Sequence, residues 1–193
     1  AAMLMTSRST RVAFMCGVQA HSIMPTMSEH GHQHDHGRND KHAVHIALVQ
    51  RLRAQAADVR RLTAGLDEAA LAARTVPGKW SLKELVCHCR RMESIFGDRF
   101  RGMLGDENTP IVPYHDPDGD AVFIKLTERP TEEVLSDYLS EREALCRRLE
   151  SLSAAEWHRK ARHPEFPHYD VHFQVEYMAH HEAHHIYQLF ERR

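Results

Sequence analysis

Apolar residues recur at helical spacing in four stretches of the chain, and no segment sustains a period-two alternation. In the first stretch, from about Asn39, Val44, Leu48, Leu52, Val59, Leu62 and Leu66 return every few residues, with Arg51, Arg53, Arg60 and Arg61 among them. Gly65 and Asp67 weaken the end of this helix, and a short Ala-rich piece, Glu68 to Arg74, follows. The second stripe is Leu82, Leu85, Cys89, Met92, Phe96 and Met103. Its start is the sharpest local signal in the chain. Pro77-Gly78 marks a turn; Ser81 and Glu84 have capping-box spacing, each side chain satisfying an orphan backbone donor; and Trp80 and Leu85 are placed to staple that end. A third helix begins near Thr131, where Glu132 and Glu133 favour the positive helix end, and its stripe is Leu135, Tyr138, Leu145, Leu149 and Leu152. Ser153 and Glu156 repeat the capping spacing before Trp157, and His163 to Pro167 reads as a non-helical connector. The last helix runs from about Tyr169 to Phe190, with Val171, Val175, Met178 and Leu189 marking its buried direction.

Gly105 to Pro130 is a long connection between the second and third helices. Asp116, Asp118 and Asp120 with Gly119 imitate a calcium loop, but the glycine falls one residue early and the closing glutamate is missing. The segment reads as a turn-rich loop, and a long loop in a small bundle is placed to border a site. The fold class is therefore all-α: a four-helix bundle with a long loop between helices 2 and 3.

Composition narrows the function. The 193 residues suffice for one domain with a sizeable core. A net charge of −2 offers no basic face for nucleic acid. The longest uncharged run, Val12 to Ser28, contains Gln19, His21, Ser22 and Pro25 and is no membrane span. Cys16, Cys87, Cys89 and Cys146 form no C-x-x-C pair and read as reduced thiols of a cytoplasmic protein. No acidic residue precedes Glu29; Arg8 and Arg11 before a weak apolar run read as leader or upstream sequence, with Met27 a natural start. His30-Gly-His32-Gln-His34-Asp-His36 has no apolar partners and cannot build a core. Residues 1–38 are thus expected to be a flexible His-rich tail and residues 39–193 the folded domain.

Histidine is the outlier: there are 17, none between His45 and His88, and eight from His158 to His185. The last helix carries two i,i+4 pairs, His180 with His184 and His181 with His185. Partners so spaced project ~40° apart on one face and can grip one cation. On the helical wheel His185 lies about 60° and His181 about 100° from the buried direction, at the rim of the core, whereas His180 and His184 turn towards solvent. A catalytic site needs a third protein ligand. His88, on the shoulder of its own stripe, is taken as the only histidine inside another helix of the bundle. Cys87 and Cys89 flank His88 about 100° to either side and do not share its direction. His181-Glu182-Ala183-His184-His185 is formally H-E-x-x-H. A zincin draws its third ligand from farther along the chain, and only eight residues follow His185, so a peptidase is disfavoured. A ferritin-like di-iron centre fails on its carboxylate count. Glu182 faces the core by its wheel position, as a candidate general base or as a buried carboxylate holding a histidine.

Pro77-Gly78-Lys79-Trp80-Ser81 with Glu84 and His88, the helix-three segment around Arg142, His163-Pro164, and His181-Glu182-x-x-His185 followed by Gln188 resemble the DinB/YfiT-like superfamily in order and spacing, over roughly Asp40 to Arg193. The resemblance implies a four-helix bundle, a homodimer, and a metal site formed by His88, His181 and His185, the three the wheels select. It implies a metal-dependent enzyme acting on a small molecule, a hydrolase or a thiol S-transferase using a low-molecular-weight thiol. Zn or Ni suits imidazole ligands. Tyr138 and Arg142 are possible pocket residues. The alternative is a non-catalytic metal-binding or stress-response protein whose His-rich tail captures the ion.

Overall fold

Each of the four apolar stripes forms a long helix: α1 (His36–Thr63), α3 (Leu82–Gly105), α5 (Thr131–Glu150) and α7 (Val171–Arg192). The computed structural model describes residues 36–106, 108–114 and 119–193; the leader, most of the His-rich tract, Cys16, Asp116 and Asp118 lie outside them. α1 begins three residues before the expected boundary at 39. The Ala-rich piece is a short helix, α2 (Glu68–Ala72), capped by Asp67. α3 starts as its sequence predicts: Gly78 takes the turn's positive φ of 69°, and the Ser81–Glu84 capping box is present on both sides. Ser153 and Glu156 close a second box around the four-residue α6 (Ala154–Trp157).

The stripes point inward with three exceptions, of which Leu145 of α5 is half-buried. Val44 is exposed and Leu66 only half-buried; the inward position at the start of α1 is His45. Since α1 carries His42 and His45, His88 is not the only histidine inside another long helix.

The helices do not follow one another around the bundle. α1 packs on α5 and α7, and α3 packs on the same two, so α1 and α3 face across a diagonal. The core falls into two apolar clusters. Their members succeed one another along α1 and α7 in one order and along α3 and α5 in the opposite order. α3 and α5 are therefore neighbours running the same way, and the chain must travel back along the bundle between them. That requirement explains the long connection. It is not plain loop: Thr109–Pro110 (β1) pairs in parallel with Ala161–Arg162 (β2), and Ala121–Thr127 (α4) packs back on α3. Asp120, in the run that imitates a calcium loop, caps α4 through Val122 and Phe123 and pairs with Arg91. Among the described residues no helix is long and apolar enough to cross a membrane.

His45 is 6 % exposed. Its ring lies 4.1 Å from Trp157 and 3° from parallel, with His172 and His158 at 5.3 and 5.8 Å. Burial, then the neighbouring His172, His158 and His42, push its pKa down from 6.5 to about 4. The folded ring stays neutral while the unfolded one takes a proton below pH 6.5. Its contribution is therefore complete above pH 6.5 and is lost progressively as pH falls towards 4. His45→Phe keeps the stack and removes the titration. Denaturant unfolding of this variant is expected to lose roughly 2 kcal/mol less than the wild type between pH 7 and pH 4.

Candidate metal centre

Two helices bring the three rim histidines to one point. α3, started by its capping box, places His88 on the side facing α7; α7, capped by Asp170 through the Phe173 N–H at 2.8 Å, carries His181 and His185 one turn apart. The His88 and His185 ring centroids lie 4.5 Å apart, as do those of His181 and His185, and His88 and His181 are 5.3 Å apart. The ε nitrogens meet. His88 Nε2 is 3.5 Å and His185 Nε2 is 3.2 Å from His181 Nε2, and one nitrogen from each of the three rings lies within 4.8 Å of the other two. Two imidazoles bound tetrahedrally at the usual metal–nitrogen length hold their nitrogens about 3.3 Å apart, so the spacing fits a common cation.

Protonation supports the same fit. Burial, then the neighbouring His185 and His181, lowers the His88 pKa to about 3, and burial, then His185 and His184, lowers the His181 pKa to about 4; burial also lowers that of His185. All three rings are neutral at neutral pH, the form that binds metals. A neighbour fixes one tautomer. Gln188 sits between His184 and His185, its amide nitrogen 2.8 Å from His184 Nε2 and its carbonyl oxygen 3.0 Å from His185 Nδ1. The amide nitrogen donates, so the carbonyl must accept from His185 Nδ1–H, and His185 Nε2 carries a lone pair. Three facing nitrogens, one of them an obligate acceptor, cannot all be satisfied by hydrogen bonds to one another. A cation satisfies all three. His88 Nδ1 is buried without a hydrogen-bond partner among the described residues.

Aromatic rings close the site. Trp80 lies 4.9 Å from His88 and 6.4 Å from His185, and Phe123 of α4 lies 5.5 Å from Trp80 and 6.4 Å from His88. The long connection thus borders the site, as its length suggested. His180 and His184 are exposed. Cys87 and Cys89 are buried, and burial raises the first to about 12 and the second well above 9, so both stay protonated thiols.

Glu182 faces inward and is 4 % exposed. Its oxygens accept from Arg142 Nη1 at 2.7 Å and Nη2 at 2.9 Å and from the Tyr138 hydroxyl. The same guanidinium binds Glu93 of α3 at 2.7 Å and the Leu52 carbonyl of α1 at 2.9 Å. Burial alone would lower the Arg142 pKa, but Glu93, Tyr138 and Glu182 outweigh it and hold the guanidinium charged. Burial raises Glu93, against the opposing pull of Arg142. Glu182, the candidate base, is thus committed to the core, and Tyr138 and Arg142 are core residues, not walls of the cavity at the histidines. Sequence reasoning noted Gln188 only as a motif residue, though its spacing of three and four from His185 and His184 on one helix could have shown the contact; Phe123 had no role there, and only the fold puts it against the histidines.

Residues 51–189 match the sequence profile of the DinB superfamily. No curated protein matches the chain. Among solved structures, YfiT from Bacillus subtilis, described as a probable metal-dependent hydrolase with an unusual four-helix bundle topology, superposes with a TM-score of 0.66 at 17% identity, over 86% of this chain and 91% of that one.

Arg142→Met leaves Glu93 and Glu182 buried without a counter-charge. Denaturant unfolding at pH 7 should show a loss of about 3–5 kcal/mol.

Proposed function

The chain belongs to the DinB superfamily, and on that premise we propose that it is a metal-dependent enzyme acting on a small molecule, by hydrolysis or thiol transfer, with His88, His181 and His185 as the metal ligands. The observation that carries this reading is the meeting of three neutral imidazole ε nitrogens at metal-ligand spacing. The likeness to YfiT, described as a probable metal-dependent hydrolase, favours the hydrolytic branch. Zn or Ni suits three imidazoles. A divalent cation there supplies Lewis-acid polarisation and lowers the pKa of a water or thiol that it holds.

The chain's own residues do the rest. Gln188 holds His185 in the tautomer that presents Nε2 and orients its ring, a supporting contact of the kind that tunes metal sites. Trp80 and Phe123 cover the rings and exclude water from that side. Glu182 acts as a positioning residue: it ties the inward face of α7 to Arg142, which sets where its sequence neighbour His181 points. No side chain of the described cluster stands ready as a separate base, Glu182 being committed to Arg142 and Tyr138.

Elemental analysis of the full chain tests this. The wild type is expected to hold about one tightly bound ion per chain that His88→Ala and His181→Ala lose, while any ion on the His-rich tract persists in both. Gln188→Leu should weaken the site about 10–100-fold without emptying it. Equal metal content in wild type and His88→Ala overturns the proposal.

A further inference from the structure

A cavity of about 220 Å³ opens beside the histidine cluster, with His88 and His181 in its wall. It is smaller than the roughly 300–1,000 Å³ of pockets for drug-sized ligands, so it suits a compact molecule. One side is aromatic: Tyr114, Phe166, Tyr169 and Tyr177. Phe166 packs 5.8 Å from Tyr177 and 6.3 Å from Tyr169, and Tyr177 lies 6.3 Å from the His181 ring at only 16°. This wall is fixed in advance. The Tyr169 hydroxyl donates at 2.7 Å to Gln174, a fully buried residue whose amide donates at 3.1 Å to the Phe96 carbonyl of α3.

Arg99 also lines the cavity, at the end of that wall, within side-chain hydrogen-bonding reach of Tyr169. Its Nη2 donates to the Val112 carbonyl at 2.7 Å, and its guanidinium carbon lies 5.6 Å from the centre of the Phe96 ring. A guanidinium has five N–H donors in a fork that matches a carboxylate. On the same helix Arg90, Arg91 and Arg101 pair with Glu141, Asp120 and Asp98; Arg99 pairs with no carboxylate among the described residues. Phe96 is shared, being 6.2 Å from the His181 ring. The cation and that ring are therefore at most about 12 Å apart, within the span of one small molecule. Glu165 and His163 also line the cavity, so the wall as a whole is not cationic and an anion gains only by reaching Arg99.

We infer that this cavity is the substrate subsite, and that the substrate is a small monocarboxylate with a flat apolar body: the body lies on the tyrosine wall, the carboxylate is gripped by Arg99, and the far end reaches the histidines. As an assignment of substrate class it rests on the proposed metal centre; as a binding site it does not.

Benzoate and benzamide share shape and differ in charge, so they probe the subsite directly. Each is titrated by calorimetry into the full chain, metal-free after chelation and again metal-loaded, as wild type, Arg99→Gln and Arg99→Lys. The metal-free wild type is expected to bind benzoate about tenfold tighter than benzamide. Arg99→Gln should abolish that preference and Arg99→Lys should keep part of it. Equal binding of the two probes by the wild type overturns the inference, as does a preference that survives Arg99→Gln or appears only in the metal-loaded chain, where the carboxylate would be on the cation. An Arg99-dependent preference in a chain whose histidines hold no metal upholds the binding site and removes the enzyme reading, so the two failures are distinguishable.

Discussion

One guanidinium holds the bundle in register. Arg142 of α5 bonds Glu93 on α3, Glu182 on α7 and a backbone carbonyl on α1, so every long helix touches it or bears it. It lies where each helix passes from one apolar cluster to the other. An apolar core alone tolerates a helix sliding or turning by a step, since one greasy contact replaces another. A buried charge does not tolerate it, because any shift leaves an ion unpaired in the interior. The buried layer contributes little net stability by that logic; its effect is to make one arrangement of four helices the favoured one.

The histidine cluster depends on that arrangement through ordinary helix geometry. Glu182 points into the core and His181 is its neighbour, about 100° round the helix. Fixing Glu182 against Arg142 therefore sets the direction of His181, and of His185 one turn on, towards α3. On α3, Glu93 is held by the same guanidinium, five residues after His88. The ring nitrogens that meet at 3.2 and 3.5 Å are positioned from the inside of the bundle. From the outside, Trp80 at the α3 cap and Phe123 of α4 press on them.

The order of the helices has its own consequence. Because α3 and α5 run the same way side by side, the connection between them must climb the bundle. On its way it supplies Tyr114 to the cavity wall and Phe123 to the histidine cover. A bundle whose consecutive helices were antiparallel neighbours would need only short turns and would have no chain to spare for enclosing the site.

Patterns local in sequence were legible without a structure. Helical periodicity gave four long helices, and the Ser81–Glu84 spacing gave the start of α3, because propensity and capping act between residues a few positions apart. The wheel separated His181 and His185 from His180 and His184 for the same reason. It erred where a position's environment comes from another helix: His45, not Val44, is the buried residue, since Trp157 of α6 offers its ring a stacking surface. Asp120 lies in a run that only imitates a calcium loop, and what it does, capping α4 and pairing with Arg91, rests on contacts that run does not show. The short helix α4 falls in a stretch whose sequence reads as loop, its few apolar residues gaining their burial from α3. Glu182 shows the divide most clearly. Its inward direction follows from the sequence, but its role does not, because that depends on Arg142, Tyr138 and Glu93 arriving from two other helices. The sequence by itself determined which residues could turn towards a common centre. Only the tertiary structure decided which of them met there, because contacts such as that between His88 and His181, 93 positions apart, are set by packing the whole bundle at once.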